Sequence, residues 1–304
     1  MRNAAMPLPF PAPEQSVVAT TNLTRRFGSK AALDDVSLSV PRGSVFGLVG
    51  ENGAGKSTLI KHILGLWRAQ TGAVRVFGLD PVLDPVSVLG RIGYLSEQPD
   101  LPEWMTVGEF IRYMQAFYPK WDAQYAEELR EQFGLDRDKR IRILSKGQRA
   151  KLGLLGAQAH RPDLLLLDEP SSGLDPIVRN DILAAVIRTV ADEGRTVFFS
   201  SHLLEEIERV ADHVAMLHHG KLVLCARLDE IKSQYRHVIL RFDAPQIQAP
   251  AIPGALAVSG TGREWRVLCS QTIHTNFGGC AIDDHPASLS DIFVGIAGGA
   301  QSHA

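Results

Sequence analysis

The chain has 304 residues, 45% of them hydrophobic and 22% charged, with a formal net charge of -2. That balance describes an ordinary globular protein, either one large domain with a small appendage or two modest domains. It gives no global electrostatic footprint for nucleic acid, and the longest unbroken aliphatic run, Leu164 to Leu167, is far too short to span a membrane.

In chain order, residues 1–16 carry four prolines and no continuous apolar core, which predicts a disordered tail rather than a secretory signal. Val36, Leu38 and Val40 then alternate as in a strand with one buried face, and Pro41-Arg42-Gly43 marks a turn. The short apolar run Val45 to Val49 predicts a strand buried on both faces. It feeds Gly50-Glu51-Asn52-Gly53-Ala54-Gly55-Lys56-Ser57-Thr58, and residues 58–64 have helical character.

Thr106 and Glu109 form a capping box, after which Val107, Phe110, Ile111, Met114, Phe117 and Tyr118 recur at helical spacing up to Pro119. A second helix is expected from Ala123 to Phe133, stopped by Gly134. Ser145 and Gln148 repeat the capping spacing ahead of a helix to Gln158, and a buried strand, Leu164 to Asp168, follows. Asp175-Pro176 reads as an N-cap with proline at the first helical position, opening a helix that stops near Gly194. Thr196 to Phe199 is the next buried strand, and short strands at 214–217 and 222–224 meet at His219-Gly220.

Alternating buried strands and helices argue for a layered α/β domain. From about residue 235 the pattern changes: Val238, Leu240 and Phe242 alternate, a Pro/Ala-rich loop covers 245–253, and residues 265–268 form another strand, which together predict a small α+β appendage. Cys225, Cys269 and Cys280 are odd in number and lack CxxC spacing, so neither a disulfide framework nor a zinc site is expected, and a reducing cytoplasm fits.

The glycine loop lies between a strand and a helix, where backbone N–H groups and the helix N-terminus converge on phosphate oxygens. There Lys56 would neutralise the β- and γ-phosphates, and the Ser57 hydroxyl would ligate Mg²⁺. Asp168 ends an apolar strand, where its carboxylate can hold the same ion through water. Glu169 points elsewhere and is the candidate to orient or deprotonate an attacking water. His202, just past a strand, can reach the γ-phosphate from the opposite side; the competing reading is a structural hydrogen bonder.

Taken in order, the glycine loop, LSKGQ (144–148), LLLLDEP (164–170), SSGLD (171–175) and Ser201-His202 resemble the ATP-binding subunit of ABC transporters over roughly residues 17–230. The resemblance implies a P-loop NTPase domain over 17–234, a helical subdomain within about 100–160, and an accessory domain over 235–304. It implies a head-to-tail sandwich of two ATP-binding subunits, a homodimer, in which Ser145, Gly147 and Gln148 of one copy serve the ATP held by Lys56 of the other, with Asp175 at the interface. It also implies an integral membrane permease as partner, a cytoplasmic subunit peripheral on the inner face of the membrane, and no nucleic acid. A soluble ATPase of the same type, uncoupled from transport, is the alternative.

Phe27 stands where that family stacks an aromatic ring on adenine, against the rival reading of a core side chain. The family's Q-loop glutamine falls on Glu97, with Gln98 one residue late, so both are candidates. Lys146 replaces a usual glycine and would sit near the composite site or point to solvent. LSKGQ with SLSDIF (288–293) resembles the export-type branch, whose relatives include antibiotic and peptide efflux systems, and Trp104 is a candidate permease contact or a packing residue.

Overall fold

The computed structural model describes residues 16–191, 194–246, 248–250, 252, 255–270 and 280–301. The predicted tail, apart from Ser16, and part of the Pro/Ala-rich loop lie outside these residues. Two compact units emerge, Met1–Cys225 and Ala226–Ala304.

In the first unit, β1 (Ser16–Phe27), β2 (Lys30–Pro41) and β4 (Thr71–Val76) form an antiparallel sheet in the order β2-β1-β4. The alternation at Val36, Leu38 and Val40 does face the core, and all three are buried. The second sheet has six strands in the order β5-β6-β7-β3-β8-β9. These are β3 (Val45–Val49), β5 (Ile92–Leu95), β6 (Leu164–Asp168), β7 (Thr196–Ser201), β8 (His213–His218) and β9 (Lys221–Arg227). The pairs β5/β6, β6/β7, β7/β3 and β3/β8 are parallel, so these strands release their C-terminal ends at one edge. Buried side chains of both sheets share one core with Leu59, Ile60 and Ile63 of α1 (Lys56–Ile63), which explains why β3 and β6 are continuous apolar runs.

Helix α2 (Pro85–Leu89) precedes β5. Between β5 and β6 the chain makes α3 (Val107–Gln115), α4 (Ala123–Gln132) and α5 (Lys146–Gln158). The Thr106–Glu109 box closes as expected, with Glu109 N donating to Thr106 Oγ1 at 3.2 Å and Thr106 N donating to Glu109 Oε2 at 2.8 Å. The expected stripe ends a turn early. Ala116 N and Phe117 N bond the carbonyls of Tyr113 and Met114, a tightened last turn, and Pro119 disfavours helix at Tyr118. Phe117 is therefore 61% exposed rather than buried. Helix α6 (Pro176–Ala191) starts at Asp175, whose Oδ1 accepts from Ile177 N and Val178 N, both at 3.0 Å. Helix α7 (Leu204–Val210) follows β7.

The second unit contains α8 (Leu228–Gln234) and an antiparallel sheet β11-β10-β12, built from β10 (Arg236–Gln246), β11 (Ala255–Cys269) and β12 (Cys280–Pro286). Val238, Leu240, Trp265 and Val267 form its core. Helix α9 (Leu289–Gln301) opens on the SLSDIF segment, where Ser288 Oγ donates to Asp291 Oδ2 at 2.6 Å. The three cysteines are free thiols. Among the described residues no helix is long and apolar enough to cross a membrane.

Candidate functional site

Strand β3 delivers the chain into the glycine loop. A Cβ at Gly50 would lie 2.6 Å from the Leu217 carbonyl, and Gly55 turns at φ 114°, a backbone that side chains resist. No side chain caps the first turn of α1, so its N–H groups remain available to an anion. Lys56 folds back over the loop, with Nζ 2.6 Å from Gly50 O and 3.2 Å from Glu51 O. The same ammonium pairs with Glu169 Oε1 at 3.1 Å.

The parallel order brings the end of β6 next to the end of β7, with Asp168 opposite Ser200. Ser200 Oγ donates to Asp168 Oδ1 at 2.7 Å and accepts from Glu169 N at 3.0 Å. Burial raises the pKa of Asp168; hydrogen bonds from Ser200 and Ser57 oppose that shift, and the charges of Glu169 and Glu97 add to it. Glu169 takes a left-handed backbone, φ 51°, uncommon for a residue with a side chain and a form of strain that clusters at functional sites. Its Oε2 accepts from His202 N at 3.2 Å and lies 2.6 Å from His202 Nδ1. Its Oε1 is buried and, among the described residues, receives no hydrogen bond, only the Lys56 ion pair.

These groups border a cavity of about 530 Å³. Phe27, Asn52, Gly53, Gly55, Lys56, Ser57, Thr58, Glu97, Glu169 and His202 line it, with Lys30, Ala32 and Ser172. Gly50 contributes its carbonyl to Lys56, Ala54 is buried, and Asp168 is buried beside Ser57. Phe27 is 43% exposed, so it is not a core side chain. Trp67 meets its ring edge-on at 5.3 Å, and the Arg25 guanidinium sits 4.9 Å from its centroid. Glu97 accepts from Ser172 Oγ at 2.9 Å, whereas Gln98 lies off the cavity, its carbonyl accepting from Ser96 Oγ at 3.0 Å.

Ser145, Gly147, Gln148 and Asp175 do not line the cavity of their own chain. Ser145 and Gln148 form a reciprocal cap at the start of α5. Gly147 packs where a Cβ would come within 2.8 Å of Val178. Lys146 does not point freely to solvent: its Nζ donates to Ser172 O at 2.7 Å. Trp104 is 69% exposed and is not a packing residue.

Sequence reasoning missed Ser200, Arg25 and Trp67, and read Ser172 only as part of the 171–175 interface motif, not as the partner of Glu97. Ser200 had a signal, because the register of two adjacent parallel strands sets it opposite Asp168. Of the other three, Arg25 stands near the end of β1, and Trp67 and Ser172 lie in loops, so no local pattern joins them. As for a metal, no group of three or more His, Cys, Asp or Glu among the described residues could hold one. Oxygen donors from Ser57 and Asp168 do fit a Mg²⁺ that takes its other ligands from phosphates and water.

Residues 33–172 match the ABC transporter family. The chain is 33% identical over 223 residues to the bacitracin transport ATP-binding protein BcrA of Bacillus licheniformis, covering 73% of each chain. It is 34% identical over 239 residues to the daunorubicin/doxorubicin resistance ATP-binding protein DrrA of Streptomyces peucetius, covering 77% of this chain and 72% of that one. Among solved structures, an ATP-binding subunit of an ABC transporter superposes with a TM-score of 0.66 at 31% identity, over 72% of this chain and 93% of the other. The fold and the phosphate site define a P-loop ATPase. The chain belongs to the ABC transporter family, as one of its ATP-binding proteins, and its chemistry is ATP hydrolysis.

Proposed function

We propose that this chain is the ATP-hydrolysing subunit of an export-type ABC transporter, closing head to tail with a second copy around two ATP and driving a separate membrane permease. Residues 17–234 act as the ATP-binding domain, with the helical subdomain within about 100–160, and residues 235–304 as an accessory domain. Phe27 stacks on the nucleobase, the 50–58 loop and Lys56 hold the phosphates, and Ser57 and Asp168 would hold Mg²⁺, which would supply charge neutralisation. Phosphate oxygens compete with Glu169 for Lys56, and Glu169, once freed, orients and deprotonates water while His202 meets the γ-phosphate. Glu97, at the Q-loop position and in the cavity wall, takes the Q-loop role in preference to Gln98.

One observation carries the catalytic part: Glu169 Oε1 is a buried acceptor with no hydrogen bond among the described residues, beside Lys56 and in the wall of the cavity. The two-chain reading is supported by the separation of Ser145, Gly147 and Gln148 from their own cavity. A permease partner is supported by the names of the relatives and by an apolar groove of about 410 Å³ bordered by Leu66, Leu89, Tyr94 and Tyr118, with exposed Phe117 and Tyr113 nearby, a patch of the kind that marks partner surfaces. Export is supported by the bacitracin and daunorubicin relatives.

The test is Glu169→Gln. Turnover should fall about 10²- to 10⁴-fold while ATP still binds and drives dimerisation, read by light scattering. Adding Ser145→Arg should abolish that dimer. Unchanged turnover would refute the base assignment, and a persisting dimer would refute the contact in trans.

A further inference from the structure

A second polar cluster lies behind the site, and the mechanism above does not use it. Glu206 of α7 is 3% exposed. Its Oε2 accepts from Ser171 Oγ at 2.6 Å and from Ser201 Oγ at 2.8 Å. Its Oε1 lies 3.1 Å from Arg179 Nε of α6, an ion pair without hydrogen-bond alignment. Ser171 and Ser201 are themselves buried, and Ser201 Oγ also accepts from Leu203 N at 3.0 Å.

Ser171 is two residues past Glu169, and Ser201 immediately precedes His202. Ser200 already ties the ends of β6 and β7 together at Asp168 and the Glu169 backbone, and beyond it two side-chain links join the segments bearing Glu169 and His202. The front link is the Glu169–His202 contact at 2.6 Å, which must yield when both side chains turn to water and phosphate. The rear link runs through Glu206 and touches neither side chain. A carboxylate suits this place because one oxygen accepts both hydroxyls while the other faces the Arg179 guanidinium; an amide would turn its N–H₂ donors on one of the two. The ion pair to half-buried Arg179 balances charge without directional bonds, and the two serine hydrogen bonds are what fix geometry.

We propose that Glu206 is a positioning residue for hydrolysis, holding the Glu169 and His202 segments at working separation through Ser171 and Ser201, with Arg179 balancing its charge. The inference rests on the roles given above to Glu169 and His202. A displacement of about 1 Å in such a site costs on the order of a hundredfold in rate.

The experiment compares Glu206→Gln, the double variant Ser171→Ala/Ser201→Ala, and Glu169→Gln in the full chain. The first two should lose about ten- to a hundredfold in kcat, with KM for ATP and Kd for ADP within about twofold, because the phosphate loop is untouched. A kcat within twofold of the parent, or a KM that rises in step with the loss, overturns the proposal. If Glu206→Gln does not fold, the serine variant, which leaves Glu206 paired with Arg179, decides by the same split. Glu169→Gln separates the two readings: if it turns over normally the base assignment fails, and if it is inactive while the Glu206 and serine variants are unimpaired, only the positioning role fails.

Discussion

The Lys56–Glu169 pair allows an energetic test that needs no nucleotide. Both side chains are almost fully buried and 3.1 Å apart. Lys56→Met removes the cation, leaves a buried carboxylate whose remaining side-chain partner among the described residues is His202, and takes the Nζ donor from Gly50 O and Glu51 O. Breaking a buried pair from one side costs about 3–5 kcal/mol. We therefore expect Lys56→Met to lose about 3–5 kcal/mol at pH 7. Lys56→Met/Glu169→Gln should recover about 2 kcal/mol or more, because no charge is left unpaired. Urea unfolding of the parent, both single variants and the double variant at pH 7 measures the cycle. A double variant no more stable than Lys56→Met, or a loss below about 1 kcal/mol, would refute the reasoning.

Two further predictions concern residues away from the phosphates. His160 is buried, bonds Ile92 O at 3.1 Å, and has its pKa pushed down to about 4, chiefly by burial. Between that value and its ordinary 6.5 the unfolded chain binds a proton that the folded chain does not, so stability should fall as pH drops from 6.5 towards 4, with a ceiling of about 3 kcal/mol before solvent screening. The melting temperature of His160→Gln should show a flatter pH dependence than the parent in that window, and an unchanged slope would refute it. Lys146→Gly removes the bond to Ser172 O and with it one anchor of the residue that holds Glu97. One such bond is worth about 1 kcal/mol, so kcat should drop about fivefold with little change in melting temperature; an unaltered kcat would show that the link is idle.

Where local chemistry decided the outcome, the sequence was readable. Capping boxes at Thr106 and Ser145, the proline after Asp175 and the apolar runs of β3 and β6 need only their own neighbours, and each formed as expected. Strand β1 was not legible because register shifts near Ser16, Thr20, Leu23 and Arg25 break its alternation, and helices α8 and α9 gave no clear period. Within the site, the choice between Glu97 and Gln98 depends on Ser172, which is 75 residues away in sequence. The fate of Lys146 depends on the same residue, 26 positions on. No window of sequence holds both ends of such contacts.

The strand order also dictates a timetable. β3, which carries the phosphate loop, is flanked in the sheet by β7 and β8, strands made about 150 residues later. During synthesis Val45 to Val49 must wait, with both edges and both apolar faces uncovered, until residues 196–218 have left the ribosome. Pairing over such sequence distances is slow and exposes the chain to aggregation in the meantime. A nascent chain stalled ahead of β7 would therefore own a complete phosphate loop and no sheet to mount it on, a natural client for a chaperone.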